Sequence, residues 1–257
     1  MAIKIKVMTF NLRVRVEADK NNCFDFRKEK ILRVIREEAP DLIGFQEAND
    51  MMRGWLQENL TDYYVLGHGR DANYRGESVP IAFRKDIFSL HSFRQEWLSV
   101  TPNLPGSVLG GLDQSKFPRV YACAELLHKD AEEPIAFFNI HTDHSGDMAR
   151  IAEATILCRE LAKTPLRFVA TGDFNAYPNE PSISMIRATA DQLGTVDATQ
   201  HIVGSFHNFH GDVKDCKIDY IFTNLACDPE QSYAVPDDDS CGHYYSDHNA
   251  LCSFVKI

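Results

Sequence analysis

Short apolar stretches rich in β-branched and aromatic residues recur along the whole chain, and one after another they stop at an amide, a carboxylate or an imidazole. The side chains able to do chemistry run from Asn11 to His248, so they form one site only if distant segments meet in space. Strands are expected at residues 3–11, 42–46, 63–66, 79–84, 120–127, 135–140, 168–171, 218–222 and 250–255, each short and bounded by turn formers. Residues 26–39 and 147–163 read as amphipathic helices, ended by Pro40 and Pro165, and residues 50–60 as a weaker third. This balance predicts paired sheets with a few helices rather than a regular strand-helix alternation. No linker, charge block or close repeat divides the chain, so one domain over residues 1–257 is expected.

Six strand ends carry the candidate chemistry. Phe168-Val169-Ala170-Thr171 runs into Gly172-Asp173-Phe174-Asn175, which places a carboxylate and an amide two residues apart where sites of open sheets form. The same residues also make an ordinary turn. Ser246-Asp247-His248 sets a carboxylate beside an imidazole just before the last strand, although a polar loop would look alike. Leu42 to Gln46 leads into Glu47, a reasonable magnesium carboxylate or simply a strand finishing in solvent. Asn11 closes the first strand, and His141-Thr142-Asp143-His144 closes another. Asp219 sits inside an apolar run, where a carboxylate is costly to bury unless it holds a partner.

Composition removes several function classes. With 27 Lys+Arg against 37 Asp+Glu the net charge is −10, unfavourable for nonspecific binding to nucleic acid or anionic membrane. It is compatible with phosphate-ester hydrolysis, because a divalent cation can supply the missing positive charge. The seven cysteines are odd in number and contain no CxxC pair, against a disulfide framework or a zinc knuckle. No stretch approaches the roughly 20 apolar residues of a membrane span. Met1 to Val7 alternates apolar and basic residues without the apolar core of a signal peptide, so a cytoplasmic protein is expected. The acidic stretch at residues 237–243 lacks the spacing of a calcium loop and is expected to be solvated.

Taken in order, Met8-Thr9-Phe10-Asn11, Gly44-Phe45-Gln46-Glu47, Asn139-Ile140-His141, Gly172-Asp173-Phe174-Asn175, Ile218-Asp219-Tyr220 and Ser246-Asp247-His248 resemble the endonuclease/exonuclease/phosphatase superfamily over essentially the whole chain. Compact bacterial members are the most similar, with Gly69-Arg70-Asp71, Gly76-Glu77, Pro118-Arg119-Val120 and Gly204-Ser205-Phe206-His207 joining the pattern. The resemblance implies a four-layered α/β/β/α sandwich of two packed sheets, DNase I-like, with the site at one edge. It implies Glu47 as the principal metal ligand with Asn11 and Asp247 close by, and Mg²⁺ as the ion, with Mn²⁺ as a substitute. By the same resemblance Asp173 activates water, Asn175 hydrogen-bonds it or the phosphate, and His248 and His141 donate to phosphoryl oxygens. Asp219 then orients His248, Glu77 pairs with His141, and Arg119 contacts phosphate. His207 is read as a pocket residue or an exposed one. Thr142 and Asn249 depart from the bacterial pattern without removing a chemical group.

Attack on a phosphate ester adds charge to an anionic centre, so catalysis needs a cation, hydrogen-bond donors and an aligned nucleophile. These residues offer all three. Two imidazoles each backed by a carboxylate are expected to have raised pKa values and to be cationic near neutral pH. The expected activity is Mg²⁺-dependent hydrolysis of a small or headgroup phosphate ester by a monomer. Nucleic acid is the alternative substrate, and a silent phosphate-binding scaffold is the alternative class.

Overall fold

The computed structural model describes residues 2–211, 215–237 and 241–257. In chain order the elements are β1 (Lys4–Asn11), α1 (Phe24–Glu38), β2 (Leu42–Gln46), α2 (Asp50–Asn59), β3 (Tyr63–Leu66), β4 (Ile81–Arg84), β5 (Phe88–Trp97), β6 (Val120–His128) and β7 (Ile135–His141). There follow α3 (Asp147–Lys163), β8 (Arg167–Asp173), α4 (Pro181–Arg187), α5 (Ala190–Leu193), β9 (Val196–Asp197), β10 (Asp219–Thr223), β11 (Ala226–Cys227), β12 (Tyr233–Ala234) and β13 (Leu251–Lys256). One sheet has the order β11-β13-β1-β2-β4-β3, with β12 beside β13, and the other β5-β6-β7-β8-β10-β9. Three apolar clusters separate the layers. One packs α1 and α2 on the first sheet, one fills the space between the sheets, and one packs α3 and α4 on the second. The result is the α/β/β/α sandwich, DNase I-like.

Each sheet is antiparallel except for a parallel pair at its centre, β1 with β2 and β7 with β8. Parallel partners end together: Asn11 lies opposite Gln46, and His141 opposite Asp173. Antiparallel β10 starts with Asp219 opposite Asp173, and β13 starts beside the end of β1. Strand period therefore carries four C-terminal and two N-terminal ends to one edge of the sandwich.

Alternation also decides which side chains arrive there. Along β1, Ile5 and Val7 face the other sheet; along β7, Ile135 and Phe137 do, and along β8, Val169. The same faces continue through Thr9, Asn139 and Thr171, all fully buried, to Asn11, His141 and Asp173. The sheets are thus apolar at one end, hydrogen-bonded in the middle and chemical at the edge. Gln46 Nε2 donates to Asn139 Oδ1 at 2.7 Å and Thr9 Oγ1 at 3.1 Å, while Asn139 Nδ2 donates to the Phe45 carbonyl at 2.7 Å. Gly44 permits this approach, since a Cβ there would sit 2.0 Å from Thr171 Oγ1.

The strand expectations match to within a few residues, and the helix at 147–163 matches at both ends. β5 has no counterpart among them. It is an edge strand with exposed middle positions and an irregularity between Leu90 and Ser92, so it lacks an apolar alternation. In the acidic stretch at 237–243, Asp238, Asp239 and Ser240 lie outside the described residues. Asp237 departs from the expected solvated loop: it accepts from the Tyr245 N–H at 2.6 Å and pairs with buried Lys30 at 2.8 Å.

Candidate active site

Asn11 sits where the two sheets meet. Its Nδ2 donates to Asp173 Oδ2 at 2.8 Å and to Glu47 Oε1 at 3.1 Å, and its own oxygen accepts the Arg13 N–H at 2.9 Å. Strand parity alone would point Gln46 inward and Glu47 away. A left-handed backbone at Glu47, φ 60°, changes the direction of the chain there, and the Glu47 side chain lines the cleft. Its Oε2 accepts the Val14 N–H at 2.8 Å. Burial opposes ionisation, but this bond, the charge of His248 and the Asn11 amide together hold the carboxyl below its usual range.

Asp173 behaves in the opposite way. Burial, and next the charge of Asp219, push its pKa up to about 7, although His248 and the Asn175 N–H at 2.9 Å resist. Asn175, also at positive φ, lines the cleft while its Nδ2 donates to the Thr142 carbonyl at 3.0 Å. His248 Nδ1 donates to Asp219 Oδ2 at 2.8 Å, and its Nε2 lies 3.8 Å from Asp173 and 3.9 Å from Asp247. Burial alone would neutralise this imidazole. The charge and hydrogen bond of Asp219, joined by Asp247 and Asp173, raise its pKa well above the ordinary value. Burial, then the charge of Glu47, raise the Asp247 carboxyl, which lies 3.7 Å from Arg13.

Three expectations need correction. His141 is not a second carboxylate-backed imidazolium: burial, then the charges of Arg119 and Arg70, hold its pKa well below the ordinary value. Glu77 pairs instead with Arg70, at 3.1 Å, because a turn bonds the Arg70 N–H to the Glu77 carbonyl and keeps the two residues together. Its carboxyl is raised by burial against the pull of Arg70. His207 does not line the cleft either. Phe206, bridged to His248, and Asn208 do, whereas the His207 ring packs on Tyr244 at 5.1 Å.

The cleft has a volume of about 320 Å³, and Glu47, Asp173, Asp247, His141 and His248 line it together with Arg119. One ligand atom each from Glu47, His141 and Asp173 lie within 4.8 Å of one another. Sequence reasoning assigned no role to Arg13, His144 or Phe117, which also line it. His144 stood within a motif already noticed, three residues beyond His141, and was the one most open to discovery. Buried Arg27 was not anticipated. Its guanidinium donates to the carbonyls of Leu12, Arg13, Asn22 and Tyr245, tying the loop after β1 to the one before β13.

An uncharacterized protein of Acanthamoeba polyphaga mimivirus is 27% identical over 233 residues, 81% of this chain and 85% of its own length. The crystal structure of an endonuclease/exonuclease/phosphatase from Bacteroides vulgatus superposes with a TM-score of 0.85 at 26% identity, covering 98% of each chain. A Bacteroides thetaiotaomicron mannosyl-6-phosphatase shares the fold, with a TM-score of 0.82 at 24% identity over 98% of this chain and 99% of that one. A model of the Endonuclease/Exonuclease/phosphatase family, whose members are typically metal-dependent phosphoesterases, matches residues 8–248. With the family's fold and an Asp/His/Glu cluster at the sheet edge, the chain belongs to the endonuclease/exonuclease/phosphatase family.

Proposed function

We propose that the protein is a Mg²⁺-dependent phosphoesterase acting on a small or headgroup phosphate ester, as a single-domain monomer in the cytoplasm. The observation that carries this reading is the convergence of Glu47, His141 and Asp173 beside the Asp219-His248 pair. The donor set suits a hard divalent cation, because carboxylate oxygens dominate it and Asn11 bridges two of the carboxylates without neutralising them. Glu47 would hold Mg²⁺, with Asp247 and Asn11 beside it, and Mn²⁺ would serve as a substitute. When bound, the ion supplies positive charge against the phosphoryl oxygens and favours ionisation of water.

The chain's own groups perform the proton chemistry. Asp173, with a pKa of about 7, is matched to take the proton of an attacking water near neutrality. Asn175 shares the orientation of that water through its N–H bond to Asp173 and its place in the cleft. His248, kept protonated by Asp219, donates from Nε2 to a phosphoryl oxygen, and neutral His141 and Arg119 add further donors. Glu77 acts through Arg70 by fixing the guanidinium at the wall. His207 supports the Phe206-Asn208 loop from behind.

The net charge of −10 and a cleft of about 320 Å³ favour a small ester over a nucleic acid duplex. The test is turnover of p-nitrophenyl phosphate and bis-p-nitrophenyl phosphate at fixed Mg²⁺. Asp173→Ala is expected to lower kcat by roughly 10³-fold. Equal rates in the two proteins defeat the reading.

A further inference from the structure

Two loops deliver residues to the cation side of the cleft. Asn11 ends β1 and is followed by Leu12 and Arg13, while Tyr245, Ser246 and Asp247 come before β13. Residues 12–16 and 244–247 belong to no helix or strand, so sheet pairing does not fix how far apart they lie. Asn11 and Asp247 can serve one ion only if that separation is set by something else.

Arg27, on α1, spans the two loops. Its side chain is fully buried, and its Nη1 donates to the Leu12 carbonyl at 2.7 Å and to the Tyr245 carbonyl at 2.6 Å. Nη2 donates to the Arg13 carbonyl at 2.8 Å and Nε to the Asn22 carbonyl at 2.6 Å. One nitrogen thus joins the residue after Asn11 to the residue two before Asp247. The far end of this bridge is itself held. The Tyr245 N–H donates to Asp237 at 2.6 Å, its hydroxyl donates to the Val235 carbonyl at 2.7 Å, and its ring meets Phe10 edge-on at 5.3 Å. Ser246 Oγ adds a second tie between the loops by donating to the Asn11 carbonyl at 2.6 Å.

Packing alone does not explain an arginine here. Burying a guanidinium is costly, and among the described residues no carboxylate pairs with this one. Burial lowers its pKa to about 10, against the more distant charges of Asp247, Asp19 and Glu47, so it is cationic near neutrality. Charge-assisted bonds to carbonyls offset the cost. A lysine would carry the same charge on a single nitrogen, without the rigid planar fork that reaches several carbonyls at once. The position therefore uses the shape of the guanidinium as well as its charge.

We propose that Arg27 is a positioning residue for the cation site: through the Leu12, Arg13 and Tyr245 carbonyls its fork fixes the separation of Asn11 and Asp247, so that the ion does not have to organise the two loops itself. This inference rests on the phosphoesterase reading and its cation at Glu47. It is tested by titrating Mn²⁺ into wild type, Arg27→Lys and Ser246→Ala, following the free-ion paramagnetic resonance signal, and by unfolding each protein in urea. Arg27→Lys is expected to unfold cooperatively and to bind Mn²⁺ about tenfold more weakly. Most of its kcat for bis-p-nitrophenyl phosphate should return at saturating Mn²⁺, a split that a merely structural role would not produce. Ser246→Ala cuts the other tie between the loops and should weaken Mn²⁺ binding about threefold. Unchanged Mn²⁺ affinity in Arg27→Lys, or a kcat that stays low at saturating Mn²⁺, overturns the positioning role alone. If Arg27→Lys does not fold, Ser246→Ala decides whether loop separation governs the ion: weaker binding supports the proposal and unchanged affinity overturns it. Failure of the wild type to bind Mn²⁺ defeats the proposed function and the positioning role with it.

Discussion

His248 and His141 are both buried, yet their environments drive them in opposite directions. The carboxylate of Asp219 at 2.8 Å outweighs burial for the first, whereas two arginines add to burial for the second. A donor that must stay protonated loses activity as pH rises through its pKa, so the raised pKa of His248 puts that limb above neutrality. Asp219→Asn removes the support. Its pH-rate profile should show the alkaline limb moved to lower pH, with kcat reduced by about 100-fold. Glu153 offers a separate test on stability. Its carboxyl accepts the Asp143 N–H at 2.7 Å, and burial raises its pKa to about 8. A pKa raised on folding gives stability that is full below the unfolded value and lost as pH rises through the folded one. Thermal unfolding should therefore show wild type losing stability between about pH 4.5 and about pH 8, and Glu153→Gln losing less over that range.

At the scale of elements, the site is the continuation of a strand pattern. Asn11, His141 and Asp173 belong to the inward face that Val7, Phe137 and Val169 begin, which is why an apolar run ending in a polar residue was informative in the sequence. Glu47 was recognisable by its place after a strand, but its direction depends on a positive φ that no side-chain pattern announces. The pairing of Glu77 was not legible, because a turn between residues 70 and 77 supplies a nearer cation than His141. His207 shows the same limit: whether it or its neighbours face the cleft is decided by a bridge from Phe206 to His248, across the fold. Gly44 makes the element-level argument testable. A methyl group there would meet Thr171 Oγ1 at 2.0 Å and Asn139 Oδ1 at 2.5 Å, so Gly44→Ala should cost about 3 kcal/mol in urea unfolding. An unchanged midpoint would mean that the sheets do not pack through this layer.

For the whole molecule, the two sheets act as two halves of a holder. The first contributes Asn11, Glu47 and the approach to His248; the second contributes His141, Asp173 and Asp219. Neither half has the full set, so the chemistry depends on sandwich packing rather than on any local motif. Arg27, buried under the loops after β1 and before β13, secures the first half through backbone carbonyls alone. No helix among the described residues is long and apolar enough to cross a membrane. In the proposed function these halves close on one divalent cation at Glu47. Titration of Mn²⁺ into the protein, followed by the loss of the free-ion paramagnetic resonance signal, measures this directly. One site is expected in wild type, with an affinity at least about tenfold weaker in Glu47→Gln. Equal Mn²⁺ affinity in the two proteins would contradict it.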